Sequence, residues 1–224
     1  MTAIRQRKFG GTGDLHAAVA TVLGEHVGRP FGVPHAVMLA GGRTPLPIYE
    51  AVASGRIRAA DDFLVLYSDE RMVPPDSPES NYGNTRGFLG KLGVGDDHIM
   101  RVHTDLPLKK AAEQYAATLH RFLKVGGRIT LGLLGLGADG HTASLFSLEA
   151  VRASAGSMAV AVPRPEKPDR VSVTPDLLKR VETLIFVVTG AEKRDAVTRL
   201  LTHPERSPAG LAVREARNVQ LWTA

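Results

Sequence analysis

Ile129-Thr130-Leu131-Gly132-Leu133-Leu134-Gly135-Leu136-Gly137-Ala138-Asp139-Gly140-His141 is the stretch whose reading decides the fold. Residues 129–136 are almost continuously apolar or small and give way to glycines, which describes a strand buried on both faces rather than one with a wet side. Working outward, His35–Ala40, Phe63–Ser68, Ser157–Val162 and Leu184–Thr189 have similar β-rich character. Between them Asp14–Val27, Pro45–Ser54, Leu108–Lys124 and Glu192–Leu201 carry helical patterns. Asp14 suits an N-cap and Pro45 a first helical turn. Buried strands alternating with helices predict an α/β fold in which a mainly parallel sheet lies between helical layers. No repeat, low-complexity tract or linker interrupts the pattern, so residues 1–224 are expected to form one domain.

Composition narrows the chemistry. With 43% hydrophobic and 23% charged residues the chain is of ordinary globular type, and with no cysteine it has neither disulfides, thiolate metal sites nor a cysteine nucleophile. The glycines at 10, 11 and 13 break the segment after Arg5, Arg7 and Lys8 before an apolar run develops. No window approaches the roughly 20 apolar residues of a membrane span. A cytoplasmic location without membrane attachment is therefore expected. The formal charge of +5 favours an anionic partner. Scattered basic residues without interleaved aromatics argue against nucleic acid.

In open parallel sheets ligands bind beyond the carboxyl ends of the strands, so the loops that follow the strands matter most. The first is Ala40-Gly41-Gly42-Arg43-Thr44-Pro45. Adjacent glycines admit a ligand close to the backbone and the following helix N-terminus favours a phosphate. A tight turn capped by Thr44 explains the same residues equally well. The second is Ser68-Asp69-Glu70-Arg71, continuing through a polar segment to Tyr82 that is too long for an ordinary connection. Arg71 offers a planar charged fork to a carboxylate, phosphate or oxyanion, or else pairs with Asp69 or Glu70. The third is the opening stretch, where Asp139 stands two residues before His141 at an expected helix start. A histidine beside a carboxylate is a standard general base near neutral pH. The same glycines match a dinucleotide-binding spacing, but Asp139 would then repel the pyrophosphate. No histidine pair has metal-ligand spacing and no serine sits in a nucleophile elbow.

Taken in order, LAGGRTPLPIYEAV (39–52), YSDERMVPPDSPESNYGNTR (67–86), LGLLGLGADGHTASLFS (131–147) and RVSVTPDLLKRVETLIFVVTGAEKRDAVTRLL (170–201) resemble the 6-phosphogluconolactonase family. The resemblance implies a three-layer α/β/α sandwich around a mainly parallel, Rossmann-like sheet. It implies hydrolysis of a phosphorylated sugar lactone by a monomer or weak homodimer, with no cofactor and no metal. By the same resemblance His141, Asp139 and Arg71 are the catalytic residues, while Gly41, Gly42, Arg43, Thr44, Asp69, Lys193 and Arg170 hold substrate and its phosphate. Glucosamine-6-phosphate deaminases share the fold. Their D-G-H motif runs into a glutamate that partners the histidine, whereas Phe146 occupies that place here.

Overall fold

The computed structural model of the chain describes residues 3–42 and 44–224. Among the described residues ten strands form two sheets: β1 (Ile4–Lys8), β2 (His35–Leu39), β3 (Phe63–Tyr67), β4 (Asp69–Arg71), β5 (Ile99–Met100), β6 (Arg128–Leu134), β7 (Ala159–Val162), β8 (Arg170–Val173), β9 (Leu184–Val188) and β10 (Val219–Thr223). The large sheet has the order β1-β10-β9-β6-β2-β3-β5, with every neighbouring pair parallel. The small sheet, β4-β8-β7, is antiparallel. Helices α1 (Thr12–Gly28), α2 (Leu46–Ser54), α3 (Asn81–Leu92), α4 (Leu108–Lys124), α5 (Leu148–Ala153), α6 (Pro175–Leu178), α7 (Arg194–Thr202) and α8 (Pro208–Ala212) complete the regular structure.

The continuous apolar runs are explained by alternation between two cores. In β2, Ala36 and Met38 point into one cluster, with Tyr115, Leu119 and Phe122 of α4 and Leu200 of α7. Val37 and Leu39 point into the other, with Leu15, Val19 and Leu23 of α1, Tyr49 of α2 and Leu89 of α3. Successive strand side chains face opposite ways, so a strand covered on both faces is apolar at every position. The three-layer arrangement follows from that.

Several expected details differ. Helix α1 begins at Thr12 with Gly11 at its N-cap, which puts Asp14 inside the first turn, where its charge complements the helix dipole. Ala159–Val162 joins the small antiparallel sheet, since only Ala159 of the strand is fully buried and it is covered from one side. The polar stretch from Asp69 to Tyr82 is not one long loop: it opens with β4 and ends in the first turn of α3.

Two tyrosines finish the central strands. The Tyr49 hydroxyl donates to Ala40 O (2.8 Å) and accepts from Ala40 N (3.1 Å). Tyr115 treats Tyr67 alike, at 2.6 and 2.9 Å. Buried backbone groups left by departing strands need partners. With these phenols in place, β2 and β3 can release their chains into the loops at the carboxyl edge.

Candidate active site

A cleft of about 360 Å³ opens at that edge, lined by Gly41, Gly42, Asp69, Arg71, His141, Arg170 and Lys193 together with Asn81, Ser144 and Phe146. Thr44 lines a smaller adjoining cavity that shares Gly41, Gly42 and Lys193. Arg43 lies outside the described residues. Asp139 does not line the cleft and reaches it through His141. A wider groove between α4, the turn before β7 and α6 shares no lining residue with this cleft.

His141 does not begin a helix. Residues 135–147 form a run of turns, with Gly140 at φ +92° and Ala143 at φ +48°, and α5 starts only at Leu148. Positive φ values stop a right-handed helix from forming and fold the loop back on itself. Gly137 N donates to His141 O (2.8 Å), and Asp139 Oδ1 accepts from both His141 N (3.1 Å) and His141 Nδ1 (2.6 Å). A carboxylate only accepts, so Nδ1 carries the proton and Nε2 is left as the basic nitrogen. Burial works against the Asp139 charge, but the hydrogen bonds from His141 outweigh it and hold the carboxyl below its usual range. Gly137 is required for this pair: a Cβ there would lie 2.2 Å from His141 Nδ1 and 2.4 Å from Asp139 Oδ1.

Arg71 forms an ion pair with neither Asp69 nor Glu70. Its Nη1 donates to Glu79 O (2.7 Å) and Asn81 Oδ1 (3.0 Å). Glu70, 2% exposed, turns instead to the start of α3, accepting from Asn81 N and Tyr82 N (both 2.8 Å), Ser80 Oγ (3.2 Å) and Arg71 N (2.7 Å). Burial pushes its carboxyl up, against the pull of those N–H donors. Asn81 is the hub of this side of the cleft. Its amide donates to Asp69 O (2.7 Å), and a Cβ on Gly41 would lie 2.0 Å from its Oδ1. Asp69 Oδ1 and Oδ2 accept from Ser68 (2.9 Å) and Ser144 (2.7 Å).

Arg170 stands directly opposite Arg71 in the β4–β8 register. Its Nε is buried without a hydrogen-bond partner, and burial first, then the Arg71 charge, lower its pKa. Like charges facing across a ladder are unfavourable unless an anion joins them. Lys193 enters from the short 3₁₀ turn after β9.

The loop reading of the sequence thus finds most of the cleft wall, misses Asn81 and Ser144, and names Glu70 only as a possible partner for Arg71. Glu70 and Asn81 lie within the quoted 67–86 stretch, but only the fold shows that one caps α3 and the other holds Arg71. Among the described residues, no group of three or more His, Asp or Glu gathers as metal ligands, and no helix is long and apolar enough to cross a membrane.

Residues 16–222 match the family described as glucosamine-6-phosphate isomerases/6-phosphogluconolactonase. The chain is 36% identical over 168 residues to the 6-phosphogluconolactonase of Thermotoga maritima, covering 74% of each chain. Against that of Haemophilus influenzae it is 30% identical, covering 83% of this chain and 82% of the relative. Against the human protein it is 34% identical, and the match spans 66% of this chain but only 59% of the relative. The solved T. maritima structure superposes with a TM-score of 0.80 at 27% identity, covering 100% of this chain and 99% of the other. A 6-phosphogluconolactonase from Trypanosoma brucei gives 0.81 at 25% identity, covering 99% and 96%.

Proposed function

The chain belongs to the glucosamine-6-phosphate isomerase/6-phosphogluconolactonase family, and from that premise we propose that it hydrolyses 6-phospho-D-glucono-1,5-lactone to 6-phosphogluconate. The observation that carries the reading is the 2.6 Å Asp139–His141 pair beside a cleft lined by Arg71, Arg170 and Lys193. His141 Nε2 takes a proton from water as its oxygen bonds to the lactone C1. Arg71 stabilises the resulting oxyanion. The C1 to ring-oxygen bond then breaks, the ring oxygen takes the proton held on His141 Nε2, and the new carboxylic acid loses its remaining proton to solvent, leaving the carboxylate beside Arg71. Asp139 fixes the tautomer throughout.

The backbone of Gly41 and Gly42, the Thr44 hydroxyl, Lys193 and Arg170 bind the phosphate, and Asp69 accepts a sugar hydroxyl. Arg43, outside the described residues, is proposed as a further phosphate contact. Every group in this scheme comes from a single chain. The neighbouring deaminase chemistry is disfavoured by one observation: the Phe146 ring, 4.7 Å from that of His141, stands where a deaminase carries its glutamate.

The test is the rate of lactone hydrolysis, read through coupled oxidation of 6-phosphogluconate against the spontaneous background, with glucosamine 6-phosphate as a second substrate. Acceleration of lactone opening without ammonia release is the expected result. Folded protein that leaves the lactone at its background rate would sink the proposal.

A further inference from the structure

Residues 163–169 join β7 to β8 beside the cleft. They contain Pro163, Pro165 and Pro168, whose rings fix φ and stiffen the connection. Asp169 ties it together: Oδ1 accepts from Arg164 N (2.8 Å), both carboxylate oxygens accept from Lys167 Nζ (2.7 and 2.6 Å), and Asp169 O accepts from Met72 N (2.8 Å) next to Arg71. The backbone of Arg164 is therefore fixed by two flanking prolines and one hydrogen bond.

The Arg164 guanidinium forms no ion pair among the described residues. It lies over the ring of Phe146, 4.0 Å from the centroid, despite repulsion from the nearby Arg170. That is a cation–π contact at close range. The Phe146 ring in turn packs against the His141 imidazole at 4.7 Å, tilted by 50°. Asp139 fixes His141 at Nδ1, but one hydrogen bond leaves the ring free to rock about it. Phe146 supplies the second constraint and Arg164 holds Phe146.

We propose that Arg164 is a positioning residue that acts on His141 through Phe146, so that the proline-stiffened β7–β8 connection orients the base. Arg164 does not line the cleft and need not touch substrate. The inference rests on the reading of His141 as the base. Its signature is therefore a fall in kcat at unchanged KM, together with a disturbance of His141 that is visible without substrate.

The experiment uses Arg164→Ala, Arg164→Lys, Phe146→Leu and the double variant Arg164→Ala/Phe146→Leu in the full chain, with urea unfolding to confirm that each is folded. An exposed to half-buried cation–π contact corresponds to about a two- to fivefold effect. Arg164→Ala is expected to lower kcat by about that factor with KM within twofold. Arg164→Lys, which keeps the charge but not the planar stack, should recover only part of the loss. Phe146→Leu should cost more, and adding Arg164→Ala to it should cost nothing further. In the free protein the His141 Cε1–H resonance, assigned by its loss in His141→Gln, should shift in the same direction in both single variants. A raised KM, full rescue by Arg164→Lys, or additive losses would overturn the proposal, since each describes a charge acting directly on substrate. An unmoved resonance would overturn it as well. Resonance shifts in a protein that opens no lactone would keep the contact and instead remove the proposed function.

Discussion

Two of the histidines that face an aspartate stand at opposite ends of the same sheet. His35 begins β2 and is fully buried, its Nδ1 3.3 Å from Asp62 Oδ1. Its Nε2 donates to His26 O (2.9 Å), Phe31 and Phe63 flank its ring, and the other Asp62 oxygen accepts from Phe31 N and Gly32 N (both 2.9 Å). His141 lies in the loop that follows β6, its side chain 29% exposed, with Nδ1 held by Asp139 and Nε2 bonded to no protein atom among the described residues. The residue types are the same but the consequences differ. At the amino edge one nitrogen and one carboxylate oxygen serve the backbone, while the facing atoms His35 Nδ1 and Asp62 Oδ1 are buried without a hydrogen-bond partner among the described residues and shut away from any ligand. At the carboxyl edge the free nitrogen of His141, a residue that lines the cleft, is only partly covered. What separates the two Asp–His pairs is access to a ligand, not the number of hydrogen bonds left unmade.

The sharpest way to break this comparison is to delete each ring. His141→Ala should reduce kcat for lactone hydrolysis by about 10² to 10⁴. Its urea midpoint should barely move, because the side chain lies at a partly exposed loop. His35→Ala should do the reverse. Losing a fully buried, hydrogen-bonded ring costs roughly 2–4 kcal/mol in urea unfolding, with kcat per folded molecule retained. Equal losses of kcat in the two variants would mean that the two edges are not functionally distinct.

A finer cut moves the pair without removing it. In Gly137→Ala the added methyl would stand 2.2 Å from His141 Nδ1 and 2.4 Å from Asp139 Oδ1, so the imidazole and carboxylate must separate. A displacement near 1 Å from reacting geometry is worth up to about 10²-fold in rate, so kcat should fall by about 10- to 100-fold with phosphate-dependent KM little changed. Wild-type kcat in this variant would show that Asp139 is not needed to hold the ring.

The alternation of buried strands and helices made β2, β3, β6 and β9 legible, because a strand packed on both faces is apolar at nearly every residue, whereas Val219–Thr223, broken by Gln220 and Thr223, and the two-residue Ile99–Met100 were not read as strands. Ile4–Lys8 stayed invisible: it is an edge strand whose last four residues are exposed, and Arg5, Gln6, Arg7 and Lys8 carry no burial pattern. Asp69–Arg71 was read as loop because three polar residues form a strand only when β8 lies opposite. In the cleft, Gly41, Asp69, Arg71 and His141 could be found from their positions after strands. Asn81 could not, since its importance comes from contacts with residues 10 and 40 positions away, Arg71 and Gly41, which only the fold brings together. Glu70 was offered, together with Asp69, only as an alternative partner for Arg71 on proximity in sequence. The N–H groups at the start of α3, which have no partner within the helix, compete better for its carboxylate, because a helix N-terminus presents several donors and a favourable dipole at once.

The smallest expected effect concerns the histidine cluster at the amino edge. His26 Nδ1 bonds Thr130 Oγ1 (2.9 Å) beneath the Phe31 ring. Burial lowers its pKa from the free value of 6.5; His35 and Arg29 push it further down, while Glu25 and Glu182 resist. A histidine with a depressed folded pKa is neutral in both states above pH 6.5. As pH falls through 6.5 the unfolded chain takes up the proton first, so folding stability declines until the folded pKa is passed. His26→Gln preserves a hydrogen-bonding partner for Thr130 but cannot titrate. Its unfolding free energy should therefore decline less than that of the wild type between pH 7 and pH 5, when both are followed by urea titration at each pH. Taking the difference cancels the contributions of Glu70 and Asp139, which both proteins share. The pH dependence of kcat should be the same in the two proteins, because His26 touches nothing at the carboxyl edge. A stability difference that does not change with pH would show that His26 is held by packing alone, and a changed kcat profile would show that the two edges communicate.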